Sequence, residues 1–107
     1  MTVPTSRDSE GDEIAAYRGA GTRGWRVAES DSSLPQELVT LDAGSVFGGE
    51  WPERQEWQIL EGRGSVSWDP RPARIPVSPG ARYRFEPGER RLLRAVTPVR
   101  LLITPVT

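Results

Sequence analysis

The sequence contains no cysteine, histidine, lysine or asparagine, so all 14 of its basic residues are arginine. Without cysteine the chain has no disulfide, no thiolate nucleophile and no thiolate metal ligand. Without lysine it cannot form a Schiff base, and without histidine it has no imidazole base or imidazole metal ligand. The acid–base groups that remain are aspartate, glutamate, tyrosine and arginine. A metal site built from carboxylates alone would suit magnesium or calcium better than zinc or iron.

The chain also lacks an excess of charge of either sign and a long apolar run. Its 14 basic and 15 acidic residues give a net charge of -1, which argues against nucleic acid or an anionic membrane as a partner. No stretch approaches the ~20 apolar residues that span a bilayer, and the polar N-terminal residues do not resemble a secretory signal. We therefore expect a cytoplasmic protein with no nucleic-acid and no membrane partner.

The length of 107 residues suits one domain and is too short for two independent cores. Residues 1–13 are polar, acidic and rich in turn formers, and we interpret them as a flexible N-terminal tail. Residues 14–107 are predicted to form a single domain. Its first residues, Ile14 to Tyr17, begin either a short strand or one helical turn.

From Trp25 onward, short apolar runs alternate with turn signals such as Pro79-Gly80. Short strands at this spacing indicate an all-β sandwich or barrel, and no window sustains a helical period. The predicted strands are Trp25–Ala28, Glu37–Leu41, Ser45–Phe47, Glu56–Leu60, Ser65–Trp68, Arg74–Val77, Tyr83–Phe85, Leu92–Val96 and Arg100–Thr104.

Apolar residues alternate with polar ones inside several of these runs. Trp57 and Ile59 share one face of their run, and Tyr83 and Phe85 share one face of theirs. A period of two residues is typical of antiparallel strands that turn one side to a core and the other to water.

Three segments carry a resemblance to a known family. The run QEWQILEGRGSVSW at residues 55–68 contains L-E-G-x-G between two strands, IPVSPGARYRF at residues 75–85 has a Pro-Gly turn before a strand, and AVTPVRLLITP at residues 95–105 reads as a closing hairpin. Together they resemble the motifs of a small single-domain cupin. The resemblance implies a cupin-type double-stranded β-helix, a jelly-roll barrel of antiparallel strands.

The resemblance also implies where the family's His-His-Glu-His metal ligands would stand. Gln55 takes the place of the glutamate, seven residues before Gly62. Tyr83 takes the place of the last histidine, three residues after Gly80. Glutamine and tyrosine are poor metal ligands, so two of the four positions no longer suit a metal.

The remaining two ligand positions are substituted as well. The first two histidines are replaced by Gly49 and Trp51, or by Gly48 and Glu50 if the gap is one residue longer. Glycine and tryptophan side chains offer a metal no ligand. We therefore expect no metal and no other cofactor, which argues against the metal-dependent activities of the family.

In such a barrel, the strand faces that carry metal ligands in the family would line a pocket for a small organic ligand. The substrate-binding candidates on these faces are Trp51, Trp57, Phe85, Ile59 and Arg94. Arg94 is included because it shares a strand face with Leu92 and Val96, with an outward face as the alternative. Plain core packing is the alternative for Trp57 and Ile59, and the Arg90-Arg91 pair is interpreted as a solvated face.

The catalytic candidates are Tyr83, Gln55 and Glu50. Tyr83 and Gln55 could polarise a carbonyl, and Glu50 at the rim could act as a base. The structural alternatives are a core aromatic for Tyr83 and a hydrogen-bonded bridge for Gln55, which must find partners if it is buried.

Three functions remain open. The first is a cofactor-free enzyme, such as a cyclase, isomerase or dehydratase of natural-product metabolism, that acts on a small and largely apolar molecule. The second is a non-catalytic binding or sensor module that uses the same pocket. The third is a structural protein with a filled barrel. The resemblance to small cupins implies a homodimer in each case.

Overall fold

The computed structural model describes residues 10–27, 36–68 and 71–106. These residues form ten strands and one turn of 3-10 helix at Ala15–Tyr17. The strands are β1 Glu10–Glu13, β2 Thr22–Val27, β3 Glu37–Leu41, β4 Val46–Glu50, β5 Arg54–Glu61, β6 Gly64–Trp68, β7 Arg71–Val77, β8 Arg82–Phe85, β9 Arg90–Ala95 and β10 Val99–Val106. Each of the nine predicted strands overlaps one of β2 to β10, so the all-β prediction is confirmed.

The N-terminal boundary differs from the sequence prediction. The prediction of a flexible tail over residues 1–13 is wrong for residues 10–13, which form β1. The backbone of β1 pairs antiparallel with β2 and places Glu13 opposite Trp25. Residues 1–9 of that tail lie outside the described residues. The sequence misses β1 because strand pairing uses backbone groups, which every non-proline residue has, whatever its side chain. Ile14–Tyr17 adopt the helical turn, with the Tyr17 amide donating to the Ile14 carbonyl at 3.0 Å.

Two antiparallel sheets face each other across the interior. The six-stranded sheet has the order β1-β2-β3-β10-β5-β8, and the four-stranded sheet has the order β4-β9-β6-β7. The last strand, β10, therefore lies between β3 and β5, which belong to earlier parts of the chain. Both sheets draw strands from distant parts of the sequence, as in a jelly-roll barrel. The predicted jelly-roll architecture is confirmed.

Apolar side chains from both sheets fill the space between them. In β5, Gln55, Trp57 and Ile59 are at most 1% exposed, while the residues between them are half-buried. In β8, Phe85 is fully buried. The buried core consists of Val39, Leu41, Phe47, Trp57, Ile59, Val66, Val77, Phe85, Leu93, Ala95, Val99, Leu101 and Ile103. The predicted alternation in β5 and β8 is therefore confirmed, and it directs these side chains to the barrel interior.

The glycine of the L-E-G-x-G segment is required at the turn between β5 and β6. Gly62 has a φ of 96°, and a Cβ placed on it would lie 2.1 Å from the carbonyl oxygen of Pro98. Gly80 has a similar φ of 91°, but a Cβ there would meet no atom within 4 Å. Both glycines have a positive φ, but only at Gly62 would a Cβ meet another backbone atom. Alanine substitutions at the two positions therefore form a matched pair for measuring the effect of that contact.

We expect Gly62→Ala to lower the free energy of unfolding clearly more than Gly80→Ala. The left-handed backbone costs a non-glycine residue about 1–2 kcal/mol at either position. Overpacking against the Pro98 carbonyl adds about 1–3 kcal/mol at Gly62 alone. Urea unfolding of both variants measures the difference. Equal destabilisation would show that the approach of β5–β6 to Pro98 is not a constraint on the fold.

Candidate functional site

The Trp51–Glu53 segment and the Glu86–Glu89 turn lie at one end of the barrel, which we call the mouth. A buried arginine joins the strands there. Arg91 lies on β9 and is fully buried. Its guanidinium donates three hydrogen bonds: Nη1 to Gln55 Oε1 at 2.9 Å, Nε to the Glu89 carbonyl at 3.0 Å and Nη2 to the Glu86 carbonyl at 3.0 Å. All three acceptors are neutral. We call Arg91 and these three partners the arginine hub.

The charge of Arg91 has no carboxylate in direct contact. No ion pair within 4.0 Å among the described residues involves Arg91. Burial lowers the pKa of Arg91, and the more distant negative charges of Glu89 and Glu53 act in the opposite direction. An arginine starts from a pKa above about 12, so the guanidinium stays charged at neutral pH. The mouth therefore holds a buried cation that is satisfied by hydrogen bonds and not by a direct counter-charge.

Gln55 connects this cation to the interior and to the rim. Its Oε1 accepts from Arg91 and also from Trp57 Nε1 at 3.1 Å, while its Nε2 donates to Glu53 Oε1 at 3.2 Å. Guanidinium and indole N–H groups only donate, so the amide oxygen must face both of them. The expectation that a buried Gln55 finds hydrogen-bond partners is confirmed. Its geometry is that of a bridge between a cation and a carboxylate.

Aromatic rings enclose the guanidinium. Arg91 Cζ lies 5.2 Å from the ring centroid of Trp51 and 5.0 Å from that of Phe85, within the range of cation–π attraction. Neighbouring rings continue in mostly edge-to-face or tilted contacts, which such pairs prefer. The ring pairs are Tyr17–Phe47, Tyr17–Trp51, Phe47–Trp51, Phe47–Trp57, Trp51–Trp57, Trp57–Phe85, Trp68–Tyr83 and Trp68–Phe85. Trp51 is half-buried, so its ring forms the outer cover of the hub.

Tyr17 holds Trp51 in this position from the N-terminal turn. Its hydroxyl donates to Glu37 Oε1 at 2.7 Å and accepts from Trp51 Nε1 at 3.2 Å. Burial, and then the hydrogen bond to Glu37, raise the pKa of Tyr17 well above its usual range. Gly24 on β2 leaves room for the ring, because a Cβ there would lie 2.5 Å from Tyr17. Tyr17 was not predicted as a site residue from the sequence. Gly24 could have indicated its contact, because a glycine inside a strand often marks a place where another group lies close to the backbone.

A cleft of about 350 Å³ opens beside Trp51, between the 3-10 turn and β4. Three aromatic rings, those of Tyr17, Phe47 and Trp51, border it, together with Arg18 and smaller residues of the turn and of β4. Its size is at the lower end of the range for small-molecule sites. The Trp51 ring borders the cleft and also lies 5.2 Å from Arg91 Cζ.

The predicted substrate-binding residues separate into three groups. Trp57, Phe85 and Ile59 are packed into the core at 0–1% exposure, and Trp51 covers the mouth. The predicted inward orientation of Arg94 is wrong: it is exposed and pairs in register with Val46 and Ser65.

The same strand also contradicts the interpretation of Arg91 as part of a solvated face. Along β9 the buried residues are Arg91, Leu93 and Ala95, while Arg90 and Arg94 are exposed. The usable signal was that two of the three arginines of β9, Arg90 and Arg94, share one face. A strand usually turns its more charged face to water, which leaves Arg91 on the buried one.

The predicted catalytic residues do not converge on one point. Tyr83 is half-buried, its hydroxyl donates to the Pro76 carbonyl at 3.2 Å, and burial raises its pKa. Glu50 is exposed and its carboxylate lies 3.8 Å from Arg90. Gln55 is committed to the arginine hub. Each candidate therefore has a different partner, and the structure does not assemble them into an acid–base pair.

The residues at the family's metal positions do not fit a divalent cation. Gln55 Oε1 already accepts two hydrogen bonds, and one of its donors is itself a cation. Gly49, opposite Arg91, offers no side chain, and the Tyr83 hydroxyl is directed to Pro76. Within residues 10–27, 36–68 and 71–106, no three His, Cys, Asp or Glu side chains are grouped as metal ligands would be.

No protein-family model matches the chain, and no curated protein matches it significantly. Solved structures do match its fold. A predicted oxalate decarboxylase from Thermotoga maritima is 18% identical, with a TM-score of 0.73, over 99% of this chain and 98% of its own. A cupin superfamily protein from Desulfitobacterium hafniense is 17% identical, with a TM-score of 0.68, over 84% of this chain and 82% of its own. Salicylate 1,2-dioxygenase from Pseudoaminobacter salicylatoxidans is 18% identical, with a TM-score of 0.71, but this chain covers only 25% of it.

These matches place the architecture among the all-β barrels of the jelly-roll class. More narrowly, the chain has the cupin fold, which confirms the resemblance found in the sequence at the level of the fold. Identities below 20% carry no reaction from these proteins to this one.

We expect Arg91→Met to lower the free energy of unfolding by about 2–5 kcal/mol, because it removes the donor from three carbonyl or amide oxygens at the mouth. Arg94→Met on the same strand should change it by less than about 0.5 kcal/mol, since Arg94 is exposed. Urea unfolding of both variants measures the two effects. A neutral or stabilising Arg91→Met would show that apolar packing replaces the hub.

Tyr17 should make stability depend on alkaline pH. Its pKa is raised in the folded state, so its contribution is present below the unfolded value, near 10, and is lost as the pH rises above it. We expect Tyr17→Phe to be less stable than the wild type at pH 7, because the bond to Glu37 is lost, and to lose stability less steeply above pH 10. Thermal unfolding across pH 7–11 measures both slopes. Parallel slopes would contradict the role given to Tyr17.

Proposed function

We propose that this protein is a metal-independent cupin that binds a small, largely apolar organic molecule in the cleft beside Trp51. The observation that carries the proposal is the composition of the cleft wall, where the half-buried rings of Tyr17 and Trp51 and the buried ring of Phe47 border a cleft at the edge of the barrel. Small-molecule sites combine apolar side chains with a few fixed polar groups. The hydroxyl of Tyr17 and the arginine hub behind Trp51 supply those groups.

Metal independence is supported by what stands at the family's ligand positions. A guanidinium, 2.9 Å from Gln55 Oε1, provides the positive charge and the cross-strand connections there. A second cation next to it would be repelled at short range in a poorly solvated site. The proposed binding therefore relies on ring contacts and hydrogen bonds alone.

Binding without catalysis is the form of this function that the geometry favours. A cofactor-free cyclase or isomerase would need an acid or a base beside the bound molecule. The three catalytic candidates are directed to Pro76, to Arg90 and into the hub, and none of them lines the cleft. A carrier or sensor needs only the shape and polarity of the site.

One observation favours a second candidate, a structural barrel with a filled interior. Trp57, Phe85, Gln55 and Arg91 are all at most 1% exposed, so side chains occupy the centre of the barrel. In this case the cleft beside Trp51 would be a surface feature without a ligand. The two candidates differ in whether organic molecules stabilise the protein.

The expected homodimer and cytoplasmic location stay predictions. Across the three stretches that the structure describes, no helix is long and apolar enough to cross a membrane.

We expect small aromatic or polyene compounds to raise the melting temperature of the protein, and manganese, iron, nickel and zinc salts to leave it at the value measured with EDTA. A ligand at free concentration L that binds only the folded state stabilises it by RT ln(1 + L/Kd), so a panel of such compounds at one concentration ranks the classes that bind. Metal stabilisation that EDTA reverses would contradict metal independence. A flat response to every compound would favour the filled barrel.

Tryptophan fluorescence locates the binding event. We expect the ligand-induced change in emission to be lost in Trp51→Phe, because this ring borders the cleft. Trp25→Phe is the matched control: Trp25 pairs with Leu38 in the six-stranded sheet and is not among the rings that meet around Arg91. A signal that Trp25→Phe abolishes and Trp51→Phe retains would place the ligand elsewhere.

A further inference from the structure

We infer that the ligand is an arylalkanoic carboxylate, with its ring in the place of the Trp51 indole and its carboxylate on Arg91. This inference rests on the proposed function and specifies its ligand class. Its basis is a buried guanidinium that makes three hydrogen bonds and lies against the half-buried ring of Trp51.

The hydrogen-bond inventory of Arg91 leaves two donors free. A guanidinium has five N–H groups, and Arg91 uses one each on Nε, Nη1 and Nη2. The described residues supply no acceptor for the second N–H of Nη1 and of Nη2. Two N–H groups on the terminal nitrogens of a guanidinium match the two oxygens of a carboxylate.

The carboxylates of the mouth are each engaged by a different donor. Glu53 accepts from Gln55 Nε2, Glu86 pairs with Arg54 at 2.8 Å, and Glu89 Oε1 accepts the backbone amide of Glu86. The charges of Glu89 and Glu53 counter the lowering of the Arg91 pKa by burial, but none of the three carboxylates bonds to the guanidinium. An anionic ligand could therefore become the direct counter-charge of Arg91 without displacing an existing ion pair.

To uncover Arg91, the Trp51 side chain gives up one hydrogen bond together with its ring and cation–π contacts. Its carbonyl accepts the backbone amide of Gly88 at 2.9 Å, which fixes the main chain. Its indole is held by the 3.2 Å bond to Tyr17 and by ring contacts. Rotation of the side chain breaks the indole bond, leaves the backbone bond intact and joins the cleft to the hub.

The ring of the ligand would restore the contacts that Trp51 gives up. The indole lies with its centroid 5.7 Å from Phe47 and 5.8 Å from Trp57, and 5.2 Å from the guanidinium carbon. A phenyl or indole ring of the ligand fits the same neighbours. Because the ring covers the face of the guanidinium and the carboxylate meets its edge, a spacer of one or two methylene groups must join them.

Isothermal titration of the full chain with matched pairs of probes tests this assignment. The pairs are phenylacetate with phenylacetamide, and 3-phenylpropionate with its amide. We expect each acid to bind about tenfold or more tightly than its amide, as charged hydrogen bonds at a buried site contribute. Arg91→Gln should reduce this ratio to near one, and Arg94→Gln, exposed on the same strand, should keep it.

The outcomes separate this inference from the proposed function. Equal affinity for acid and amide in the wild type would overturn the carboxylate assignment and leave apolar binding in place. Binding of other apolar compounds without binding of either acid would also overturn it. Absence of binding by all apolar compounds would overturn the proposed function itself. If Arg91→Gln fails to fold, the ratio between acid and amide in the wild type still decides.

Discussion

The hydrogen bond between Arg91 and Gln55 is the interaction on which the mouth of the barrel depends. It connects β9 in one sheet to β5 in the other, across the interior. A buried cation is costly unless its donors are satisfied, and this requirement fixes the Glu86–Glu89 turn, whose carbonyls at both ends point inward. The turn in turn holds the main chain of Trp51. One side chain thus determines the course of two loops and the position of the ring that covers them.

The hub also explains why a glutamine suits a position where the fold family has a metal-binding glutamate. A carboxylate would only accept, whereas Gln55 accepts from Arg91 and Trp57 on one side and donates to Glu53 on the other. The negative charge therefore lies on Glu53 at the rim and not on residue 55. The cation is covalently part of the chain and joins the two sheets through its bond to Gln55.

Solved structures of this fold include a dioxygenase and a predicted decarboxylase. Their similarity to this chain is a similarity of fold, at 18% sequence identity. A fold at this level of identity sets where a pocket lies and not what it does. In this protein, Trp51 contacts both Tyr17 and Arg91 at the mouth.

The sequence alone determined nine of the ten strands among the described residues and the barrel type, because two-residue alternation, turn residues and motif spacing are local properties. It did not determine which arginine enters the barrel. The segment RRLLRA has arginine and leucine on both of its faces, so alternation gives only a small preference, from the two arginines that share one face. Only pairing with β4 and β6 sets the face of each residue, and pairing depends on strands that are far apart in the chain. The strand β1 and the contact of Tyr17 with Gly24 were likewise decided by tertiary structure, since backbone pairing and space above a glycine leave little trace in composition.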